Sequence, residues 1–157
     1  MKKLSLSVAF AAMMLSSGFV ACNKDDDAPA PKSLYTRMTN NSPAALAKVV
    51  DDFIGIVVAD NRINGVFVAF GTTSSQEKVL NLRNHLIDQI GEAAGGPFTY
   101  KGKDMITAHR GMNITDAQFN ALVEDLGKAL TQNGVSMADI NELVGILAPL
   151  KPQIVGR

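Results

Sequence analysis

The 157-residue chain has one cysteine, no tryptophan and two histidines, and its 15 basic residues equal its 15 acidic ones. Each scarcity removes a class of answer. A lone cysteine cannot close an internal disulfide, so packing must do the stabilising. Balanced charge provides no field that would draw in nucleic acid. Two histidines and the scattered serines form no readable nucleophile–base triad. Asp25-Asp26-Asp27 lacks the spaced oxygen ligands and turn glycine of a calcium loop, and Gly95-Gly96-Pro97 lacks the Gly-Lys-Ser/Thr ending of a phosphate loop. No segment alternates with the period of two that a half-buried strand requires.

Long apolar runs are also scarce. The one present, Leu4 to Val20, is short for a membrane span; it follows Lys2 and Lys3 and leads into Ala21-Cys22. Residues 1–21 therefore read as a cleaved lipoprotein signal, with Cys22 the lipidated residue; the competing reading is a buried free thiol. Residues 22–32, with their acidic run and Pro29 and Pro31, read as a solvated linker too polar to bury apolar area. Loss of the signal would remove Lys2 and Lys3 and no acidic residue, leaving a slight negative balance. The expected location is the bacterial envelope, lipid-anchored to the outer membrane with the domain periplasmic or surface-exposed.

What remains, residues 33–157, suits one domain with one core, and its periodicity is helical almost throughout. Ser42 caps a helix with Pro43 at its first position, and Leu46, Val49, Val50, Phe53, Ile54, Val57 and Val58 form its apolar stripe until Asp60-Asn61. A second helix is expected after Ser74, with Glu77 as capping-box partner and Val79, Leu82, Leu86 and Ile90 on its inner face, ending at Gly95-Gly96-Pro97. A short third helix holds Met105 and His109 and yields at Gly111. Thr115 with Gln118 opens a fourth, whose stripe of Phe119, Leu122, Val123, Leu126 and Leu130 stops at Asn133-Gly134; a last begins near Met137 and carries Ile140, Leu143, Val144 and Leu147. The fold class expected is all-α.

One stretch is more specific than periodicity. The Gly95-Gly96-Pro97 break, the Tyr100-x-Gly102 turn and Met105-x-x-Ala108-His109 closely resemble the group I truncated haemoglobins. The likeness continues upstream through Val49-Val50-Asp51-Asp52-Phe53 and Ala59-Asp60-Asn61-Arg62-Ile63. Downstream it takes in Ile114 to Phe119 and Ile146 to Leu150. It implies a truncated globin fold, a two-over-two helical sandwich around one haem b per chain, with His109 as the proximal iron ligand. An imidazole binds iron through one ring nitrogen, so the other is expected to donate to a backbone carbonyl of its own helix. Phe67 matches the aromatic that the family sets against the haem face, Met105 lies one turn before His109, and Tyr100 is within reach of the haem edge. For each of these three, plain packing is the competing reading.

The gas-binding side departs from the family. Where relatives carry a tyrosine after the helix phenylalanine, Phe53 is followed by Ile54; the positions for glutamine and for the residue one turn before it hold Leu86 and Leu82. None of the three side chains donates a hydrogen bond. Loss of such a partner costs a polar ligand about 1–3 kcal/mol and speeds its release roughly tenfold to hundredfold. His85, immediately before Leu86, sits where some cyanobacterial relatives ligate iron internally. It either faces solvent or a haem propionate, or swings in as a second imidazole ligand.

The resemblance thus implies a haem-binding globin that reversibly takes up oxygen or another diatomic gas (NO, CO), with no nucleic acid partner and a reductase as electron-donating partner. The alternatives are a haem enzyme for NO dioxygenation or peroxide detoxification, or a bis-histidyl electron-transfer or redox-sensing protein. Enzyme chemistry would need polar groups that Ile54, Leu82 and Leu86 do not supply.

Overall fold

A computed structural model describes residues 30–69 and 75–157. The expected signal, Cys22, nearly all of the linker and the Ser74 cap lie outside the described residues. Seven α-helices follow in order: α1 (Leu34–Thr39), α2 (Pro43–Ala59), α3 (Asn64–Ala69), α4 (Gln76–Ala93), α5 (Met105–His109), α6 (Asp116–Gln132) and α7 (Met137–Leu147), then a 3₁₀ segment, Ala148–Gln153. Among the described residues the one β-type pairing is an isolated parallel bridge between Ile114 and Val155, so the all-α expectation holds.

Local chemistry sets the helix ends. Ser42 accepts from the Ala45 N–H at the start of α2, and Thr115 and Gln118 exchange both bonds of a capping box on α6. The cap of α4 is Ser75, which accepts from the Lys78 N–H. At the other end of α4, Gly95 takes φ 72°, which lets its N–H reach the Glu92 carbonyl while the Gly96 N–H reaches that of Gly91. These two bonds satisfy carbonyls that the helix end would leave orphaned, and the positive φ favours glycine. Gly96 must also lack a Cβ, since one would lie 2.7 Å from the Tyr35 ring.

The two long pairs form the layers. α2 packs against both α4 and α6, α6 against α7, and α1 closes the far side against α7. Leu46, Val49, Val50, Phe53 and Val57 of α2 are buried against Ala129, Leu130 and Leu143 of the facing helices. Val58, expected within the α2 stripe, is instead 50% exposed. It follows Ile54 along the edge row of that stripe, about a quarter turn from the buried Val57. The short helices α1 and α3 carry no periodic signal of their own. α1 is pinned by the Tyr35 N–H donating to the Ala94 carbonyl at 2.7 Å and by the Tyr35 ring meeting Phe98 edge-on at 5.4 Å.

Ion pairs secure the turns. Arg62, at the entry to α3, bonds Asp60 and Glu124. The Arg62 guanidinium holds the Asp60 carboxyl at about 2, below its ordinary 3.8. Asp125 is fully buried and accepts from Lys128 at 2.8 Å. Behind α5, the last residues return: the Gly156 N–H donates to the Ile114 carbonyl and the Asn113 N–H to that of Arg157.

Candidate functional site

A five-residue helix supports the site's one buried-side imidazole. The Asp104 carboxylate caps α5, accepting from the Thr107 N–H at 2.9 Å, and its bonds from Thr107 hold that carboxyl below the usual carboxylate range. One turn on, His109 Nδ1 lies 2.8 Å from the Met105 carbonyl oxygen. A carbonyl only accepts, so Nδ1 carries the proton and Nε2 keeps its lone pair for a ligand. The bond runs within the imidazole's own helix.

His109 borders two adjoining cavities of about 170 and 360 Å³. The inner one is a slot between layers. Phe53 of α2 and Phe67 of α3 close one end, α4 contributes Leu82, Leu86, Gln89 and Ile90, and α6 contributes Phe119, Leu122, Val123 and Leu126. Met105 and His109 of α5 line it too, with Leu147, Leu150 and Ile154 of the C-terminal region. Of fifteen lining residues, Gln89 and His109 alone have polar side chains. The outer cavity shares Phe67, Leu82, Leu86, Gln89, Met105 and His109 with the inner one and adds His85, Tyr100, Arg110 and Met112, of which His85 and Arg110 are exposed.

The structure brings Phe67, Leu82, Leu86, Met105 and His109 together around the inner cavity and sets His85 and Tyr100 on the outer one. His85 is exposed, with its ring edge-on to Tyr100 at 6.0 Å between centroids. Tyr100 donates its hydroxyl to the Lys103 carbonyl at 2.9 Å, and burial pushes the phenol up. Ile54 does not border the slot. It lines a small apolar side cavity of about 40 Å³ that shares Phe53, Phe67, Leu82 and Leu86 with the slot.

Two lining residues escape a reading by family positions. Phe53 reads as ordinary core from its place in the α2 stripe. Gln89 lies three residues after Leu86 and seven after Leu82, on the same helical face, and that spacing alone could have found it. Its Nε2 donates to Met105 Sδ at 3.4 Å.

The donor set fits haem. Among the described residues no group of three or more His, Cys, Asp or Glu side chains could hold a metal ion. A porphyrin brings four nitrogens of its own and needs apolar walls plus one axial imidazole, and the slot offers both.

Comparison with known proteins agrees. The bacterial-like globin family matches residues 33–155. A group 1 truncated haemoglobin of Mycolicibacterium paratuberculosis is 34% identical over 79% of this chain and 85% of its own length. One from Tetrahymena pyriformis is 28% identical over 81% of this chain and 98% of its own. The crystal structure of the Tetrahymena pyriformis truncated haemoglobin in its Fe(III) form superposes with a TM-score of 0.70 at 28% identity, covering 80% of this chain and all of that one. The 2/2 haemoglobin of Synechococcus sp. PCC 7002, solved in the cyanomet state with covalently attached haem, gives 0.64 at 28% identity over 78% and 95% of the two chains. The chain belongs to the bacterial-like globin family, among the group 1 truncated haemoglobins, and its cofactor is haem.

Proposed function

We propose that the protein binds haem through His109 Nε2 and reversibly takes up dioxygen or another diatomic gas on the opposite, mostly hydrocarbon side of the slot. The observation that carries this reading is the 2.8 Å bond from His109 Nδ1 to the Met105 carbonyl at the wall of an apolar cavity. It orients the ring and leaves the metal-binding nitrogen free. When bound, haem supplies the iron that holds the gas. Leu82, Leu86, Phe67 and Phe119 line the slot that would hold the macrocycle and keep water from it, and Tyr100 and Arg110 line the adjoining cavity.

The test is an absorption spectrum of the haem-reconstituted protein, ferric and dithionite-reduced, beside His109→Ala and His85→Ala. A Soret band in the parent that is lost in His109→Ala supports the assignment, whereas a parent that takes up no haem sinks it.

A second reading is favoured by one observation, that His85 and His109 border the same outer cavity. Rotation of His85 away from Tyr100 would give two imidazoles on one iron, a state suited to electron transfer or redox sensing. In the spectrum above it predicts a low-spin ferrous form that His85→Ala turns five-coordinate. We further propose that lipidation at Cys22 tethers the globin domain to the envelope through the acidic linker. Metabolic labelling with a fatty-acid analogue would attach to the parent and not to Cys22→Ala.

A further inference from the structure

We propose that Arg62 is a positioning residue for the slot: by bonding α6 it holds Phe67, and with it the end of the slot that α3 closes, in place against the α6 wall; the proposal rests on the haem reading above. Phe67 is half-buried and borders all three adjoining cavities, of about 40, 170 and 360 Å³. A ring with open space on so many sides is not located by its own packing. Its helix adds little. α3 has six residues, packs on α2, and Val66 is its one fully buried residue.

The turn before α3 supplies what packing does not. The Arg62 N–H donates to Asp60 Oδ1 at 2.8 Å and the Asn64 amide to the Val58 carbonyl at 3.3 Å, so these bonds lead back to the end of α2. The Arg62 side chain crosses to α6. Its Nη1 donates to Glu124 Oε2 at 2.7 Å, and its Nη2 stands 3.7 Å from Asp125 Oδ1.

Asp125 gives that crossing its anchor. The residue is fully buried, its Oδ1 accepts from Lys128 at 2.8 Å, and its Oδ2 has no hydrogen-bond partner. A carboxylate buried with one oxygen unanswered draws the cations within reach, and the guanidinium of Arg62 is the one that arrives from the α3 side. On either side of Asp125 in the chain, Val123 and Leu126 line the slot. A link to this point of α6 therefore ties Phe67 to that wall. Cutting it frees α3 and leaves the bond from His109 to the Met105 carbonyl intact, so the expected loss is in haem retention and not in ligation.

The test compares the full-length chain with Arg62→Met, which keeps the aliphatic stem, and Arg62→Lys, which keeps a cation without the guanidinium fork. The control is Arg83→Met, which cuts the pair that Arg83 of α4 makes with Asp51 of α2. Hydrogen exchange is followed by mass spectrometry with and without haem, and haem release by transfer to excess apomyoglobin. In Arg62→Met the α3 amides are expected to exchange about fivefold faster and haem to leave faster by a similar factor, with the α2 and α6 amides and the Soret maximum as in the parent. Arg62→Lys recovers part of both losses, and Arg83→Met shows neither. Exchange in α3 and haem release equal to the parent's in Arg62→Met overturn the proposal. So does an equal rise of exchange in α2, α3 and α6, the mark of a residue that merely stabilises the whole fold. A parent that takes up no haem overturns the haem reading beneath it, an outcome distinct from both.

Discussion

The two walls of the slot are built on opposite plans. The α5 wall is five residues long, yet every part of it is specified by a polar contact: the Asp104 cap, the Nδ1 bond of His109, and the returning C-terminal residues bonded to Asn113 and Ile114 behind it. The α4 wall is eighteen residues long, and only Ile90 and Gly91 of it are fully buried. Its slot face is leucine and isoleucine with a single amide. On the proposed reading, iron ligation would need one nitrogen at one angle, which the polar contacts of that wall would hold. Gas entry needs room and low polarity, which half-buried hydrocarbon provides.

That contrast can be broken from either side. The largest effect is expected on the α5 wall: His109→Gly abolishes specific haem uptake, and imidazole added to the medium restores a Soret band by filling the vacated volume, while the helix content by circular dichroism stays at the parent's level. Restoration of the band by buffer alone would show that the wall, and not its imidazole, selects haem. Next comes Gly91→Ala, where a Cβ would meet the Phe98 ring at 2.4 Å. Overpacking of this kind costs about 1–3 kcal/mol, read as a lower midpoint in urea unfolding.

On the gas side, Leu86→Gln adds a second amide to the hydrocarbon face and is expected to slow dioxygen release about tenfold by stopped-flow, leaving haem retention unchanged. The smallest effect concerns acid. The Asp60 carboxyl is held at about 2 in the folded protein against an ordinary 3.8, chiefly by its bonds from Arg62. A depressed carboxyl contributes stability that is in place above about pH 4 and is lost as pH falls through the folded value. The pair braces the turn into α3, which carries Phe67 of the slot. Asp60→Asn should therefore flatten the acid limb of a Tm-against-pH curve, and do so more than Asp104→Asn on the other wall.

Much of this was legible in the chain because caps and stripes agree. Ser42, Thr115 with Gln118, and Gly95-Gly96 mark the ends of α2, α6 and α4 by chemistry that works at one residue's reach. Where two residues offer the same chemistry, the sequence does not separate them: serines stand at both 74 and 75, and the cap of α4 is the second. The helices α1 and α3, six residues each, are too short to show a period and exist through tertiary contacts such as the Tyr35 to Ala94 bond. His109 was legible only through the motif around it, since an isolated histidine on a helix carries no mark of its partner. Gln89 was legible from its spacing to Leu82 and Leu86, although its polarity argued for solvent. A glutamine beside an apolar stripe reads as solvated until the fold places a cavity over it.

The brevity of α5 has a consequence for the life of the protein. Five residues make barely more than one turn, too few to persist alone in water. Haem held by His109 would tie that turn to a cavity that α2, α3, α4 and α6 also line, so cofactor loading and folding would become one equilibrium. Each tenfold rise of free haem above its dissociation constant adds about 1.4 kcal/mol to the folded state. A cell short of haem would hold this chain in a looser form that proteases clear, so the protein's abundance would follow the supply of its cofactor without any dedicated regulator.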